Sequence, residues 1–275
     1  MNHTRIEWVK NPDNKTQGFT LNDKTGCLNG CPYCYARKLA NGRLKQRYLA
    51  NYKLATGSFQ SPQGRPIEPY KDPFYPRWWP RRLQEPYKIK KPVGIFLDDM
   101  SDWMGDYWPE DWTLLELQMM EDNPQHRIYT LTKQPQNLIK FSPFPKNCWV
   151  GVTATGYWAY VDACNYLSQV EASVKFLSIE PLLSWDKEAS YFFQSGGISW
   201  VIIGACTGTL PEMVSLCDKY PELAIMRWGT KLTAQPRIEW VEEIVKACDK
   251  AGVKMFQKDN LKPLLGDKLR QELPK

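Results

Sequence analysis

Val93-Gly94-Ile95-Phe96-Leu97 runs straight into Asp98-Asp99-Met100-Ser101-Asp102, five apolar residues followed by five of which four are polar. An apolar run this short with no polar alternation reads as a strand covered on both faces, the kind that parallel sheets contain. The pattern repeats along the chain. Arg127 to Thr132 closes on Lys133, and Cys148-Trp149-Val150-Gly151-Val152-Thr153 follows. Val174 to Ile179 runs into Glu180-Pro181, and Trp200-Val201-Ile202-Ile203 into Gly204 to Gly208. Val253 to Phe256 ends in Gln257-Lys258-Asp259-Asn260, and upstream Gly18 to Leu21 makes a shorter strand.

Helical stretches fill the gaps. One runs from Pro109 to Glu121, with Trp112, Leu115, Met119 and Met120 on one side; others cover 157–170 and 236–251. Strand–helix alternation with buried strands predicts an α/β chain with a parallel sheet. About seven units suit a partial (β/α) barrel of the TIM type better than an open sheet with one crevice. Chemistry in such barrels gathers at the carboxyl ends of the strands, so the polar residues closing each strand would share one rim. No linker divides residues 1–275, and a single domain is expected.

The exception to the rhythm is 58–92, a window with eight prolines, eight Lys or Arg against three acidic residues, and Phe74, Tyr75, Trp78 and Trp79. Proline at this density excludes long helices and central strands. Arg77-Trp78-Trp79-Pro80-Arg81-Arg82 is either a substrate-facing loop that stacks a base or grips phosphate, or an insertion that its aromatics pin to the barrel.

Between the first strand and a basic helix over 35–51, interrupted at Asn41-Gly42, lies Gly26-Cys27-Leu28-Asn29-Gly30-Cys31-Pro32-Tyr33-Cys34-Tyr35. The glycines and proline make it a loop, and a tight loop can turn three thiolates toward one point. Structural zinc takes four ligands, and no second C-x2-C occurs in the chain. Iron–sulfur clusters also take four cysteines as a rule. Three cysteines at C-x3-C-x2-C therefore suit a cluster with one iron left for a ligand that is not protein. A zinc loop, or three reduced thiols in a turn, are the other readings.

Composition bounds the rest. Forty-three percent apolar and 24% charged residues in 275 are ordinary for a folded chain. The net charge of +6 permits a nucleic-acid partner without demanding one. No apolar run approaches the ~20 residues of a membrane span, and the N-terminus lacks a signal peptide's apolar core. A cytoplasmic protein with reduced thiols is expected. His3 and His126 are the two histidines, so a histidine metal centre is nearly excluded; His126, ahead of its strand, is expected to be structural.

The cysteine spacing, with aromatic Tyr33 just before the third cysteine, resembles the signature of the radical S-adenosylmethionine superfamily. Almost the whole chain resembles a phage-associated family of that superfamily whose function is not established. The matching pieces include Thr25-Gly26-Cys27 through Cys34-Tyr35-Ala36, Met100-Ser101-Asp102, Leu131-Thr132-Lys133, Val150-Gly151-Val152-Thr153, Ile179-Glu180-Pro181-Leu182-Leu183, Trp200 to Ala205, and Lys258-Asp259-Asn260-Leu261. The resemblance implies a partial (β/α) barrel of the radical type, with the cluster loop after the first strand. It implies a 4Fe-4S cluster on Cys27, Cys31 and Cys34, and S-adenosylmethionine on the open iron with Tyr33 near its adenine. An external electron donor of the flavodoxin or ferredoxin type would reduce the cluster. Cleavage would give a 5′-deoxyadenosyl radical that abstracts hydrogen from a substrate.

Many members of that superfamily carry Gly-Gly-Glu after the second strand to bind the cofactor's amino group. This chain has Asp98 to Asp102 there, so Asp99, Ser101 and Asp102 are the candidates. Thr153 and Thr155 could bond the ribose or carboxylate, or cap the next helix. Glu180, at a strand end and followed by Pro181, would contact the cofactor or orient substrate, with a salt bridge to Lys133 or Lys258 as the bland alternative. Lys133 and Lys258 could each bind an anion; Glu180 and Lys258 are the catalytic candidates. The unidentified substrate leans toward a nucleic acid or nucleotide. The rivals are a zinc-stapled nucleic-acid-binding protein without catalysis and a redox protein that uses its cluster only for electron transfer.

Overall fold

The Gly94–Leu97 strand is wholly buried and sits between Phe19–Leu21 and Arg127–Thr132, parallel to both, with Ile95 opposite Phe19 and Ile128. Gly94 is required there: a Cβ at this position would lie 2.0 Å from the Lys10 carbonyl oxygen, which also accepts a bond of 2.8 Å from the Tyr129 hydroxyl. The computed structural model describes residues 1–55, 68–186, 193 and 196–274. Residues 58–67 of the proline-rich window thus lie outside the described residues. The main sheet has eight strands among the described residues, most of them parallel, within a mixed α/β fold. The chain divides into two units, 1–149 and 150–275, with the Cys148–Thr153 strand at the division.

In the first unit a short Asn2–His3 strand adds antiparallel to Phe19–Leu21. A two-residue ladder follows, pairing Lys24–Thr25 with Arg77–Trp78. The basic stretch after the cysteines forms two helices, Tyr35–Asn41 and Lys45–Leu49, broken at Gly42. The Glu110–Asp122 helix turns Thr113, Glu116, Met119 and Met120 inward, while Leu115 is 52% exposed. The apolar spacing mispredicted this face because a buried ion pair fixes it: Lys24 Nζ meets Glu116 Oε2 at 2.6 Å with neither side chain exposed.

In the second unit Val174–Ile179, Trp200–Ile203 and Lys254–Gln257 run parallel, with Ile203 opposite both Ile179 and Gln257. The Tyr157–Ser168 helix follows the Cys148–Thr153 strand. The Ile238–Ala251 helix stops at Gly252, left-handed with φ 69°. An antiparallel sheet of Cys206–Gly208, Lys231–Gln235 and Ala224–Trp228, with the Leu210–Lys219 helix, was not anticipated. That helix carries its own legible start signal, a capping box in which Thr209 and Glu212 bond each other's backbone. Among the described residues no helix is long and apolar enough to cross a membrane.

Candidate functional site

The three cysteines lie on the loop between the Lys24–Thr25 strand and the Tyr35–Asn41 helix, each partly exposed and free of disulfide. Gly26 enters the loop at φ 91° against the Phe74 and Tyr75 carbonyls, 2.6 and 2.4 Å from where a Cβ would stand. Its N–H donates to the Met100 carbonyl and that of Cys27 to Phe74, so the loop's first half hangs from two neighbouring segments. Gly30 turns the loop at φ 68°. Cys34 is the helix N-cap, its sulfur accepting from Arg37 N–H at 3.4 Å, and the Cys27 sulfur accepts from Asn29 N–H at the same distance. Arg37 reaches back to the Cys27 carbonyl at 3.0 Å.

The protein alone disfavours thiolates at Cys27 and Cys31. Burial, then the negative charge of Asp102, pushes the Cys27 thiol up to about 12. Burial also raises Cys31, although Lys133 pulls the other way.

The Asp98–Asp102 turn sits against the loop. Asp98 N–H donates to the Leu21 carbonyl at 2.7 Å, and Ser101 pairs with Gly26 in a parallel bridge. Asp99 accepts from Asn22 Nδ2 at 2.6 Å and from the Tyr35 hydroxyl at 3.2 Å, while burial raises its carboxyl. Ser101 Oγ is buried with no hydrogen-bond partner among the described residues. Asp102 is the opposite case. Its Oδ1 accepts from the Thr132 hydroxyl at 2.5 Å and Met104 N–H at 3.3 Å; its Oδ2 accepts from Asn29 Nδ2 at 2.6 Å and Lys133 N–H at 2.9 Å. Four protein donors fill this carboxylate, so its visible work is to clamp the cysteine loop to the end of the Arg127–Thr132 strand. Asn29, inside the cysteine motif, was the sequence's signal for the clamp.

Residues 68–92 buttress the same loop. Arg77, 1% exposed, donates to the carbonyls of Asn51, Pro69, Asp72 and Tyr75 at 2.7–3.2 Å. Trp78 stacks on Trp112 with centroids 4.8 Å apart. Trp79 Nε1 donates to Thr25 Oγ1 at 2.8 Å, and the Arg82 guanidinium covers its ring at 4.2 Å. Of the two readings of this stretch, Arg77 and Trp78 take the structural one. With four of its five N–H groups on carbonyls and only 1% of its surface exposed, this guanidinium is not presented to a phosphate.

The second unit gathers its own strand ends. Glu180, Gly204 and Lys258 each follow one of three adjacent parallel strands, and Glu180 forms an ion pair with Lys258. A Cβ on Gly204 would come within 3.1–3.3 Å of the Lys258, Asn260 and Glu180 side chains, so the three close in tightly over this glycine. Asn260, missed in the sequence, holds both polar groups of Ala205, accepting from its N–H at 3.1 Å and donating to its carbonyl at 2.7 Å. Thr153 is buried at its strand end. Thr155 does not cap the following helix: Gly156 is the N-cap, without a side-chain bond.

His126 is buried and structural in its contacts. Its Nδ1 accepts from Val93 N–H at 3.3 Å, which puts the proton on Nε2, 3.2 Å from the Pro86 carbonyl. Burial lowers its pKa from 6.5. The folded chain therefore binds this proton less readily than the unfolded chain, and stability drops as pH falls below about 6.5. Thermal melts from pH 7.5 to 5.5 should show that decline, and His126→Asn should flatten it; an equally steep decline in the variant would remove His126 as the cause.

A family model described as a protein of unknown function, DUF5131, matches residues 3–214. No curated protein matches the chain in sequence. Among solved structures the chain is similar to spore photoproduct lyase. A cysteine-to-alanine variant of that enzyme with dinucleoside spore photoproduct gives a TM-score of 0.53 at 11% identity, over 94% of this chain and 81% of that one. A cysteine-to-serine variant gives 0.52 at 11%, over 94% and 80%. The complex with dinucleoside spore photoproduct gives 0.50 at 11%, over 92% and 81%. The likeness is one of fold.

Proposed function

We propose, from the premise that the chain belongs to the DUF5131 family of proteins of unknown function, that it is a radical S-adenosylmethionine enzyme. The observation that carries the reading is the cysteine loop: three sulfur donors at C-x3-C-x2-C, partly exposed, on a loop held by bonds to Met100, Phe74 and Asp102. The other five cysteines lie within strands and helices elsewhere in the sequence. A single tetrahedral zinc would need its sulfurs about 3.8 Å apart. Among the described residues, the ligand atoms that do gather within 4.8 Å of one another are carboxylates, not these three thiols. A 4Fe-4S cluster on Cys27, Cys31 and Cys34 is the better fit to the donor set.

When bound, the cluster supplies the electron that cleaves S-adenosylmethionine to the radical that takes hydrogen from the substrate. This chain's share is placement. Asp102 holds the loop through Asn29, and Tyr33 lies one residue before the third ligand, where it would pack near the adenine. Ser101, with an unpartnered buried hydroxyl beside Gly26, and Asp99 are the residues proposed to take the cofactor's ammonium. Thr153, Glu180 and Lys258 are proposed contacts for cofactor or substrate.

The substrate proposed is a nucleic acid or nucleotide. The solved structures of similar fold that hold a dinucleoside photoproduct lend this weight. A reductant of the flavodoxin or ferredoxin type would serve as donor.

Protein purified without oxygen should be brown, carry about four irons per chain, and release 5′-deoxyadenosine with dithionite and S-adenosylmethionine. Colourless protein with one zinc per chain would overturn the proposal. Glu180→Gln removes the negative half of the pair with Lys258. Iron content should stay at the wild-type level while deoxyadenosine or product formation drops; both remaining unchanged would leave Glu180 a purely structural role.

A further inference from the structure

On the segments that flank the cysteine loop's base stands a second group of charged side chains, which the proposed chemistry does not use. Asp23 precedes the Lys24–Thr25 strand, Asp98 follows Gly94–Leu97, and Glu116 comes from the middle of Glu110–Asp122. All three are at most 3% exposed, and one oxygen from each lies within 4.8 Å of the others. Asp98 reaches this place from a backbone φ of 61°, an unusual conformation for a residue with a side chain.

The partners of these carboxylates leave a surplus. Lys24 Nζ and Trp103 Nε1 both donate to Glu116 Oε2, at 2.6 and 3.0 Å, and Lys24 N–H donates to Asp98 Oδ1 at 3.0 Å. Four oxygens then remain without a hydrogen-bond donor among the described residues: Asp23 Oδ1, Asp23 Oδ2, Asp98 Oδ2 and Glu116 Oε1. Asp23 is the clearest: it is wholly buried, neither oxygen meets a donor in good geometry, and its carboxyl faces that of Glu116. Buried acceptors without donors are costly, and three ionised carboxylates would face one ammonium with two negative charges left over, a surplus that either a cation or protons must offset.

We propose that Asp23, Asp98 and Glu116 form a binding site for an oxygen-preferring divalent cation, distinct from the cysteine loop. A +2 ion balances the charge of the ionised group and takes one oxygen from each of the three carboxylates, with remaining positions going to further carboxylate oxygens, water or backbone carbonyls. An oxygen spread bounded at 4.8 Å admits Ca2+ and Mg2+ alike, both of which take oxygen ligands. Nitrogen and sulfur ligands are absent from the group, which disfavours zinc. The ion would tie together the segments on either side of the cysteine loop's base, because Asp23 stands four residues before Cys27 and Asp98 opens the turn that pairs with Gly26. The alternative occupant is protons, which burial drives onto Asp23 and Asp98.

The full chain, purified without oxygen, should contain about one non-iron divalent ion per molecule by mass spectrometry of its metals. After chelation, Ca2+ at a hundred times its dissociation constant should raise the melting temperature by about 5 °C or more. Asp23→Asn should abolish that rise. Should the variant fail to fold, Tb3+ added to the chelated wild-type chain gives a second readout. Excitation of tryptophan should give saturable Tb3+ emission, displaced by Ca2+, because the Trp103 indole touches Glu116. No stoichiometric ion and no response to Ca2+, Mg2+ or Mn2+ would assign the group to shared protons and overturn the site. An unchanged rise in Asp23→Asn would place the ion elsewhere. Iron content and deoxyadenosine release are read separately, so failure of this site leaves the radical chemistry untouched.

Discussion

Alanine at Cys27, Cys31 or Cys34 should each remove the brown colour, the iron and all release of 5′-deoxyadenosine from anaerobically prepared protein. Loss of a supporting partner around a metal costs about 10–100-fold, so loss of a ligand should exceed that and reach background. The fold should survive. The loop's backbone is held by bonds the cysteines' side chains do not make, Gly26 N–H to Met100 and Cys27 N–H to Phe74, and by Asn29 on Asp102. Melting of the metal-free wild type and of the variants should therefore agree closely. Cys148→Ala is the control. That thiol is fully buried within a strand, so the variant should keep its iron while losing about 1 kcal/mol of stability. If a single loop variant retained full iron and activity, the three-cysteine centre would be refuted.

The contrast between those cysteines also marks what a sequence can display. Strand positions were readable wherever burial on both faces produced a bare apolar run, as at 94–97, 174–179 and 200–203, and the cysteine loop was readable because glycine and proline exclude anything else. The inward face of Glu110–Asp122 was not. Its buried positions are Thr113 and Glu116 as much as the methionines, since Lys24 reaches in from 92 residues earlier in the chain to meet Glu116. Hydrophobic periodicity carries no trace of a buried polar pair whose halves are distant in sequence. Arg77 failed to declare itself for the same reason: a basic residue amid aromatics looks like a phosphate contact until the four carbonyls around it are placed. The short ladder of Cys206–Gly208 with Lys231–Gln235 was hidden because its strands are exposed in part and lack the apolar run that marked the others.

Within the candidate site the sequence named Asp99, Ser101 and Asp102 together, as one polar stretch at a strand end. The structure separates them by their partners. Ser101 keeps an unused hydroxyl, whereas Asp102 is fully engaged by Asn29, Thr132, Met104 and Lys133. Asp102→Ala should consequently act on the loop's position more than on cofactor contacts. Four donors would lose a buried acceptor at 4% exposure, and the expected loss is about 3 kcal/mol, or roughly 6–12 °C in melting temperature. The readout that a merely structural residue would not move is iron retention. With all three cysteines present, release of iron to a chelator should be about 10–100-fold faster than in wild type. Asp102→Asn, which keeps one carbonyl oxygen for two of the four donors, should fall between the two. A melting loss with unchanged iron release would make Asp102 a pillar of the fold alone; iron release that tracks the number of remaining acceptors would identify the Asn29–Asp102 bond as the restraint that keeps the cysteine loop closed.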